Sequence, residues 1–338
     1  MIRNILPIII MLTGCIETFI PDVDLDPSYV VVDGHISNLD PISVKLQRTV
    51  DPQTGASFKI IGATVMLLGD DGTEEILVEG QSGEYYGYTV GDVGVNYSLK
   101  IILPNARVIL SDGQRINSGS EVGELSIVQS TQLEFIDGYQ NVINGLDVNL
   151  YLNDETSSNK YFKWILEGTY EFHSPMSSEI CYITDYYFGN FALAESISNL
   201  KTELNKKLAF IELSGRKFQW GYSLEVKQYS LNNDAFNYWK KIDDQQNNVG
   251  SVFDSPPAQI LGNLHYVNEE NIPVLGLFEA SYVTTKRIFI KPTDFVEEPI
   301  LEIAACIPQK PTSIPPLWCT DCLSVTGSTH EKPSYWPN

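Results

Sequence analysis

Apolar residues recur at every second position over much of the chain. Ile42, Val44 and Leu46 alternate with Ser43, Lys45 and Gln47, and Tyr97, Leu99, Ile101 and Leu103 alternate mostly with polar residues. Leu146, Val148, Leu150 and Leu152 alternate with Asp147, Asn149, Tyr151 and Asn153. Successive side chains of a strand point to opposite faces, so this period predicts half-buried strands. Phe162, Trp164 and Leu166 repeat it, as do Leu224 and Val226, while Tyr29–Val32, Val108–Leu110 and Ile288–Ile290 read as short apolar strands. Ala63–Leu68 and Glu75–Val78 flank Gly69-Asp70-Asp71-Gly72, a hairpin signal because Asp-Gly tolerates the left-handed backbone of a tight turn. The same acidic turn lacks the alternate-residue oxygen spacing of a calcium loop.

One segment has a clear helical period. Asp234 to Gln246 predicts a helix with Asn233 as its N-cap and Phe236, Trp239 and Ile242 on one stripe, read as core packing. Leu193, Ile197, Leu200 and Leu204 also fit helical spacing, so residues 192–207 stay open between helix and strand. The whole predicts a mainly β chain. An Ig-like or prealbumin-like antiparallel sandwich covers residues 28–115, and the glycine- and serine-rich stretch Ser111–Gly123 is the candidate boundary. A second β-rich domain with one or two short helices follows over residues 120–338.

The N-terminus carries a different signal. Arg3 precedes an apolar run from Ile5 to Leu12 that is too short to span a bilayer, which takes about 20 residues. It ends in Leu12-Thr13-Gly14-Cys15, a large aliphatic residue, two small ones and a thiol, which is the pattern of a lipoprotein signal. Residues 1–14 are therefore expected to be a signal peptide and Cys15 the lipidated residue, since several acyl chains on one residue suffice for stable anchoring. Residues 15–27, with Glu17, Asp22, Asp24 and Asp26, read as an acidic tether. Ile16 follows the cysteine where an aspartate favours inner-membrane retention in some bacteria, so outer-membrane delivery is expected, with exposure at the cell surface left open.

Composition narrows the function. A net charge of −21 argues against nucleic acid, because no basic surface is available to displace counterions from phosphates. Hydrophobic residues make up 43% and aromatics 11%, which fits a globular body. Besides Cys15 the chain holds Cys181, Cys306, Cys319 and Cys322. Disulfides are expected in an exported chain, with connectivity open, while Cys319-Thr320-Asp321-Cys322 also admits a zinc or redox reading. The sequence has no Gly-x-Ser-x-Gly elbow, phosphate-binding glycine loop or His-Glu-x-x-His helix. His35, His173, His265 and His330 are isolated in sequence and are expected in loops or at the surface. No catalytic residue, metal ligand or cofactor is assigned. Aromatics crowd the segment from Tyr182 to Phe191, and Tyr186, Tyr187 and Phe188 are candidate partner contacts, with core filling as the other reading.

Several segments taken in order resemble a family of Bacteroidota outer-membrane lipoproteins catalogued as domain of unknown function 4249. They are Cys15-Ile16-Glu17, Val31–Ile36, Gly62–Val65 before Asp70–Gly72, Ser82–Tyr85, Tyr222–Leu231, Tyr238-Trp239 and Ser255–Asn263. The tail adds Cys319–Cys322, Gly327, Lys332-Pro333 and Tyr335-Trp336. The tail departs from the family's usual Gly-Gly-Thr-Asn, reading Gly327-Ser328-Thr329-His330. The resemblance implies a companion of a TonB-dependent outer-membrane β-barrel whose N-terminal sandwich is carboxypeptidase regulatory-like. The expected function is non-enzymatic, as an accessory or ligand-capturing subunit of such a transporter, with an envelope assembly factor as the alternative and a hydrolase as a third class.

Overall fold

The computed structural model describes residues 29–50, 58–136, 138–157, 159–186, 191–196, 201–213, 215–247, 259–269, 271–294, 306–307 and 314–337. The chain is mainly β. The first strands are β1 (Val30–Ser37), β2 (Pro41–Arg48), β3 (Thr64–Gly69), β4 (Glu74–Ile76), β5 (Val78–Glu79), β6 (Glu84–Val90), β7 (Asn96–Ile102), β8 (Val108–Ser111) and β9 (Gln114–Arg115). Then come β10 (Glu124–Ile136), β11 (Tyr139–Asp154), β12 (Tyr161–His173), β13 (Ile180–Tyr186), β14 (Ala192–Glu195) and β15 (Thr202–Glu212). Helix α1 (Gly215–Phe218), β16 (Tyr222–Leu231), helix α2 (Asn233–Asn247), β17 (Leu261–Tyr266), β18 (Pro273–Ile290) and β19 (Ser328–Thr329) complete the list. No described helix is long and apolar enough to cross a membrane.

Alternation maps directly onto burial. Ile42, Val44 and Leu46 on β2 and Tyr97, Leu99 and Ile101 on β7 are buried, and they pack with Val65, Leu67 and Ile109 in one core. Thr64–Gly69 and Glu74–Ile76 form the expected hairpin, with Gly72 at φ +94°. An antiparallel sandwich over residues 28–115 is compatible with this topology, but the sheet is completed from far along the chain. β17 pairs with β8, and β18 pairs in parallel with β1, so Leu264, Tyr266, Val274 and Phe278 enter the same core.

The strand β18 organises the molecule. Its first half lies beside β1 (Val31 opposite Leu275 through Ser37 opposite Ser281), and its second half pairs antiparallel with β16 (Ser230 opposite Tyr282 through Tyr222 opposite Ile290). One continuous sheet of 16 strands therefore runs through both halves of the chain. Gly276, at φ +96°, allows β1 to approach, since a Cβ there would collide with the Val32 carbonyl. Where β1 ends, Asn38 continues the ladder: its amide donates to Val283 O (3.1 Å) and its oxygen accepts from Val283 N (2.6 Å). A second sheet, β10-β11-β15, packs Leu146, Val148 and Leu150 against Phe162, Trp164 and Leu224.

Two sequence expectations shift. The helix is capped by Asn232, not Asn233, because the Asn232 side chain accepts from Ala235 N (2.8 Å) and α2 begins one residue earlier. Phe236 is buried, as the stripe implied, and Trp239 packs beside it. In the open segment, Ala192–Glu195 and Thr202–Glu212 are strands, pairing with β12 and β11, because partners across the sheet outweigh a weak local helical period.

The four described cysteines form two disulfides, Cys181–Cys322 and Cys306–Cys319, and all four are buried. Short 3-10 turns over Leu317–Cys319 and Cys322–Ser324 send the two closely spaced thiols in different directions. The first bridge spans 141 residues and the second 13. By loop-closure entropy the long bridge contributes about 5 kcal/mol and the short one about 3 kcal/mol. Alkylation without reduction should find no free thiol, and Cys181→Ser/Cys322→Ser should lower stability in urea more than Cys306→Ser/Cys319→Ser. A Cys319–Cys322 bridge in peptide mapping would overturn the pairing.

Candidate functional site

Where β18 passes from its pairing with β1 to its pairing with β16, four side chains close around one carboxylate. Glu279 sits opposite His35 in the parallel pairing with β1, and Lys163 on β12 reaches it across β16. Lys163 Nζ donates to Glu279 Oε2 at 2.8 Å, Trp239 Nε1 donates to the same oxygen at 2.5 Å, and Ser281 Oγ donates to Oε1 at 3.1 Å. His35 Nε2 lies 3.2 Å from Ser281 Oγ and 3.9 Å from Glu279 Oε1. The ammonium of Lys163 stands over the Trp239 ring at 3.9 Å and the Tyr229 ring at 4.7 Å, and Tyr229 meets His35 edge-on. The side chains of Lys163 and Glu279 are 5% and 4% exposed.

Charges this deep must be paired and hydrogen-bonded to persist. Burial opposes the charge on Glu279, but Lys163, His35 and the hydrogen bonds outweigh it and hold the carboxyl below its ordinary value. Burial pushes the His35 imidazole below its ordinary value of 6.5 and the Tyr229 phenol above its own. The ammonium and both carboxylate oxygens are engaged by the protein, so the cluster ties β12, α2, β1 and β18 together. His35 thus corrects the expectation of a loop or surface histidine. Its strand is central, and the pleat turns the ring toward Glu279.

A second constellation covers the far end of the same face of β12. Glu171 accepts from Trp336 Nε1 (3.0 Å) and pairs with His173 Nε2 (2.6 Å), whose ring stacks on Trp220 at 4.0 Å. Arg287 donates to Ser223 Oγ (2.9 Å) and Glu225 Oε1 (2.7 Å), with its guanidinium 3.5 Å above the Tyr335 ring. These contacts clamp the C-terminal tail onto the sheet. Trp220 is nevertheless 49% exposed, and Met176, whose N–H donates to Cys319 O (2.8 Å), and Leu317 are exposed near the disulfides. Cys181, Cys322 and His330 come close together, but both sulfurs are in the disulfide and His330 Nδ1 donates to Ile180 O (3.0 Å), so no thiolate is offered to a metal.

Cys15, Tyr187 and Phe188 lie outside the described residues, and Tyr186 is the last residue of β13, its side chain also outside them. The sequence did hold a signal for the buried cluster. Lys163 interrupts Phe162-Lys163-Trp164 and Glu279 interrupts Phe278-Glu279-Ala280, each an ionisable residue among residues destined for the core. A family model described as Domain of unknown function (DUF4249) matches residues 16–287, from just after Cys15 to near the end of β18. No curated protein matches the chain.

Removing one partner of the ion pair leaves the other charge buried alone. Lys163→Met or Glu279→Gln should each cost about 3–5 kcal/mol in denaturant unfolding, while Lys163→Met/Glu279→Gln should recover much of that loss. Additive losses in the double variant would show that the pair is not coupled.

The pH dependence follows from the same groups. His35 and Glu279 both have folded values below their ordinary ones of 6.5 and 4.5, so the unfolded chain takes up these protons first as pH falls. Their stabilisation is complete above pH 6.5, declines through the histidine window, and falls again below 4.5. His35→Gln should flatten the stability–pH slope as pH falls below 6.5, measured by urea unfolding. An unchanged slope would exclude the histidine as its source.

Proposed function

The chain belongs to the DUF4249 family, and we propose that it is a non-enzymatic, lipid-anchored outer-membrane protein that serves as an accessory or ligand-capturing subunit of a TonB-dependent β-barrel. The Leu12-Thr13-Gly14-Cys15 box carries this reading. Lipid on Cys15 supplies attachment and the acidic residues after it supply reach. The body's charged interior supports holding over reacting, because Lys163 and Glu279 satisfy one another out of reach of a substrate. Trp220, Met176 and Leu317 around the disulfide-fastened tail offer the kind of exposed aromatic and aliphatic side chains on which partners anchor.

Cys15→Ala should abolish labelling by a palmitate analogue and release the chain from membranes. A TonB-dependent barrel should co-purify with the wild type in mild detergent, and Leu317→Ala, at a 72% exposed position, should weaken that association without lowering thermal stability. Labelling of the Cys15→Ala chain would move the anchor elsewhere. Absence of any barrel from the purified wild type would sink the accessory role.

A further inference from the structure

We propose that the end of the large sheet at which β1 begins is a lipid-docking face, resting on the phospholipid leaflet that holds the acyl chains of Cys15. It rests on the proposed Cys15 anchor for delivery to that leaflet, not for the contact itself. Tyr29 immediately precedes β1, and fourteen residue steps separate it from Cys15. Extended backbone covers at most about 50 Å in that number of steps. The chain therefore arrives from the leaflet at this end. A tether of that length does not by itself decide which face of the body meets the lipid.

The side chains there make a selection. Thr49 N–H donates to Tyr29 O (3.0 Å) and Arg48 N–H to Phe58 O (2.7 Å), which holds the described ends of the β2–β3 connection against the chain start. Val31 lies opposite Leu275 and His265 opposite Pro273, so the β17–β18 turn falls at the same end. Val267 N–H donates to Val108 O (2.9 Å) and Arg107 pairs with Glu269 (2.6 Å), joining that turn to the β7–β8 turn. A Cβ on Gly62 would lie 4.0 Å from Pro104, which brings the β2–β3 connection round to the β7–β8 turn. These loops expose apolar side chains together: Val50 is 47% exposed, Phe58 53%, Ile61 63%, Val267 37% and Ile272 39%. Ile60, Leu103 and Tyr266, from the same loops and strand ends, are buried in the core behind them.

Charge selects the occupant. Arg48, Lys59 and Arg107 stand at this end against Asp51, Glu79, Glu269 and Glu270, close to balance in a chain of net charge −21. At the opposite end, residues 38–40, 70–73, 91–95 and 112–113 hold five aspartates and no lysine or arginine. Gly91 N–H donates to Ser37 O (2.7 Å) and Asp70 N–H to Asn96 O (3.1 Å), which gathers those turns. Leu39 and Val93 are exposed there as well, but the aspartates beside them are repelled by anionic lipid phosphates. The β1 end combines apolar exposure with little net negative charge. Phe58 and Ile61 can enter the acyl boundary while Lys59, exposed between them, lies at phosphate depth. Attachment through Cys15 raises the local concentration of lipid, so a contact of modest strength suffices. In this orientation the disulfide end, at the far terminus of β18, is directed away from the leaflet by up to about 55–60 Å.

The test holds the chain on vesicles of phosphatidylethanolamine and phosphatidylglycerol in two ways. One uses its own acylated Cys15; the other uses Cys15→Ala with a histidine tag in place of residues 1–14, on nickel-chelating lipid. An environment-sensitive fluorophore is attached at Phe58→Cys, at Ile272→Cys, and at Val93→Cys on the opposite end. The first two should shift to the blue and be quenched by brominated acyl chains in both formats, and Val93→Cys should do neither. Ile61→Asp, at an exposed position, should reduce the quenching at Ile272→Cys several-fold without lowering the melting temperature. Equal responses at Phe58→Cys and Val93→Cys, or no response at Phe58→Cys, would overturn the proposal. So would a shift that appears only once a TonB-dependent barrel is added to the vesicles, which would assign this end to a protein partner. A response from the tagged chain, beside a wild type that never acquires lipid, would sustain the docking face and refute the Cys15 anchor.

Discussion

The buried carboxylate of Glu279 is the point through which the two halves of this protein are joined. β18 belongs to both halves, and a strand shared in this way could pivot about its middle. Lys163, Trp239 and His35 fix that middle from three other elements, and Ser281 supports it from β18 itself. An ion pair removed from water gains little net energy over a well-packed apolar pair, because desolvation offsets the attraction. Its geometry is more demanding, however. Its hydrogen bonds are directional, so they constrain how β1, β12, β18 and α2 meet more narrowly than apolar contact would. The specificity of the junction, more than its energy, follows from this site.

The C-terminal tail is held by a different means. It has little regular structure of its own, only short turns and the two-residue strand β19 against β13. Disulfides to Cys181 and Cys306 restrict its freedom in the unfolded chain, and Tyr335 and Trp336 then dock through Arg287 and Glu171. Covalent closure of this kind persists in oxidising compartments. It also explains how apolar residues such as Leu317 can remain exposed on an ordered surface, since backbone constraint there does not depend on burying them.

Exposed apolar side chains occur on the N-terminal strands, as at Tyr88, on the β10–β11 hairpin and around the disulfide end. The base of the hairpin packs against β12 and β16, and its outer half repeats the same alternation with Leu133, Phe135 and Val142 exposed.

The sequence by itself determined what depends on near neighbours. Period-two alternation gave the strands, Asp71-Gly72 gave the hairpin turn, the Phe236/Trp239 stripe gave α2, and the run into Cys15 gave the expected anchor, because each signal is read over a few residues. The cap of α2 at Asn232 and the strands over 192–195 and 202–212 were missed or left open, since a shift of one residue and a pairing partner 50 residues away are not local properties. Only the tertiary structure decided that β18 joins both halves of the large sheet, that Cys319 and Cys322 pair apart, and that His35, Lys163 and Glu279 meet. An ionisable residue among apolar ones marks Lys163 and Glu279 singly, but separations of 116 and 246 positions, from Lys163 to Glu279 and from His35 to Ser281, hide which residues pair. Such contacts arise where a long strand changes partners from β1 to β16, and that exchange exists only once the chain has folded.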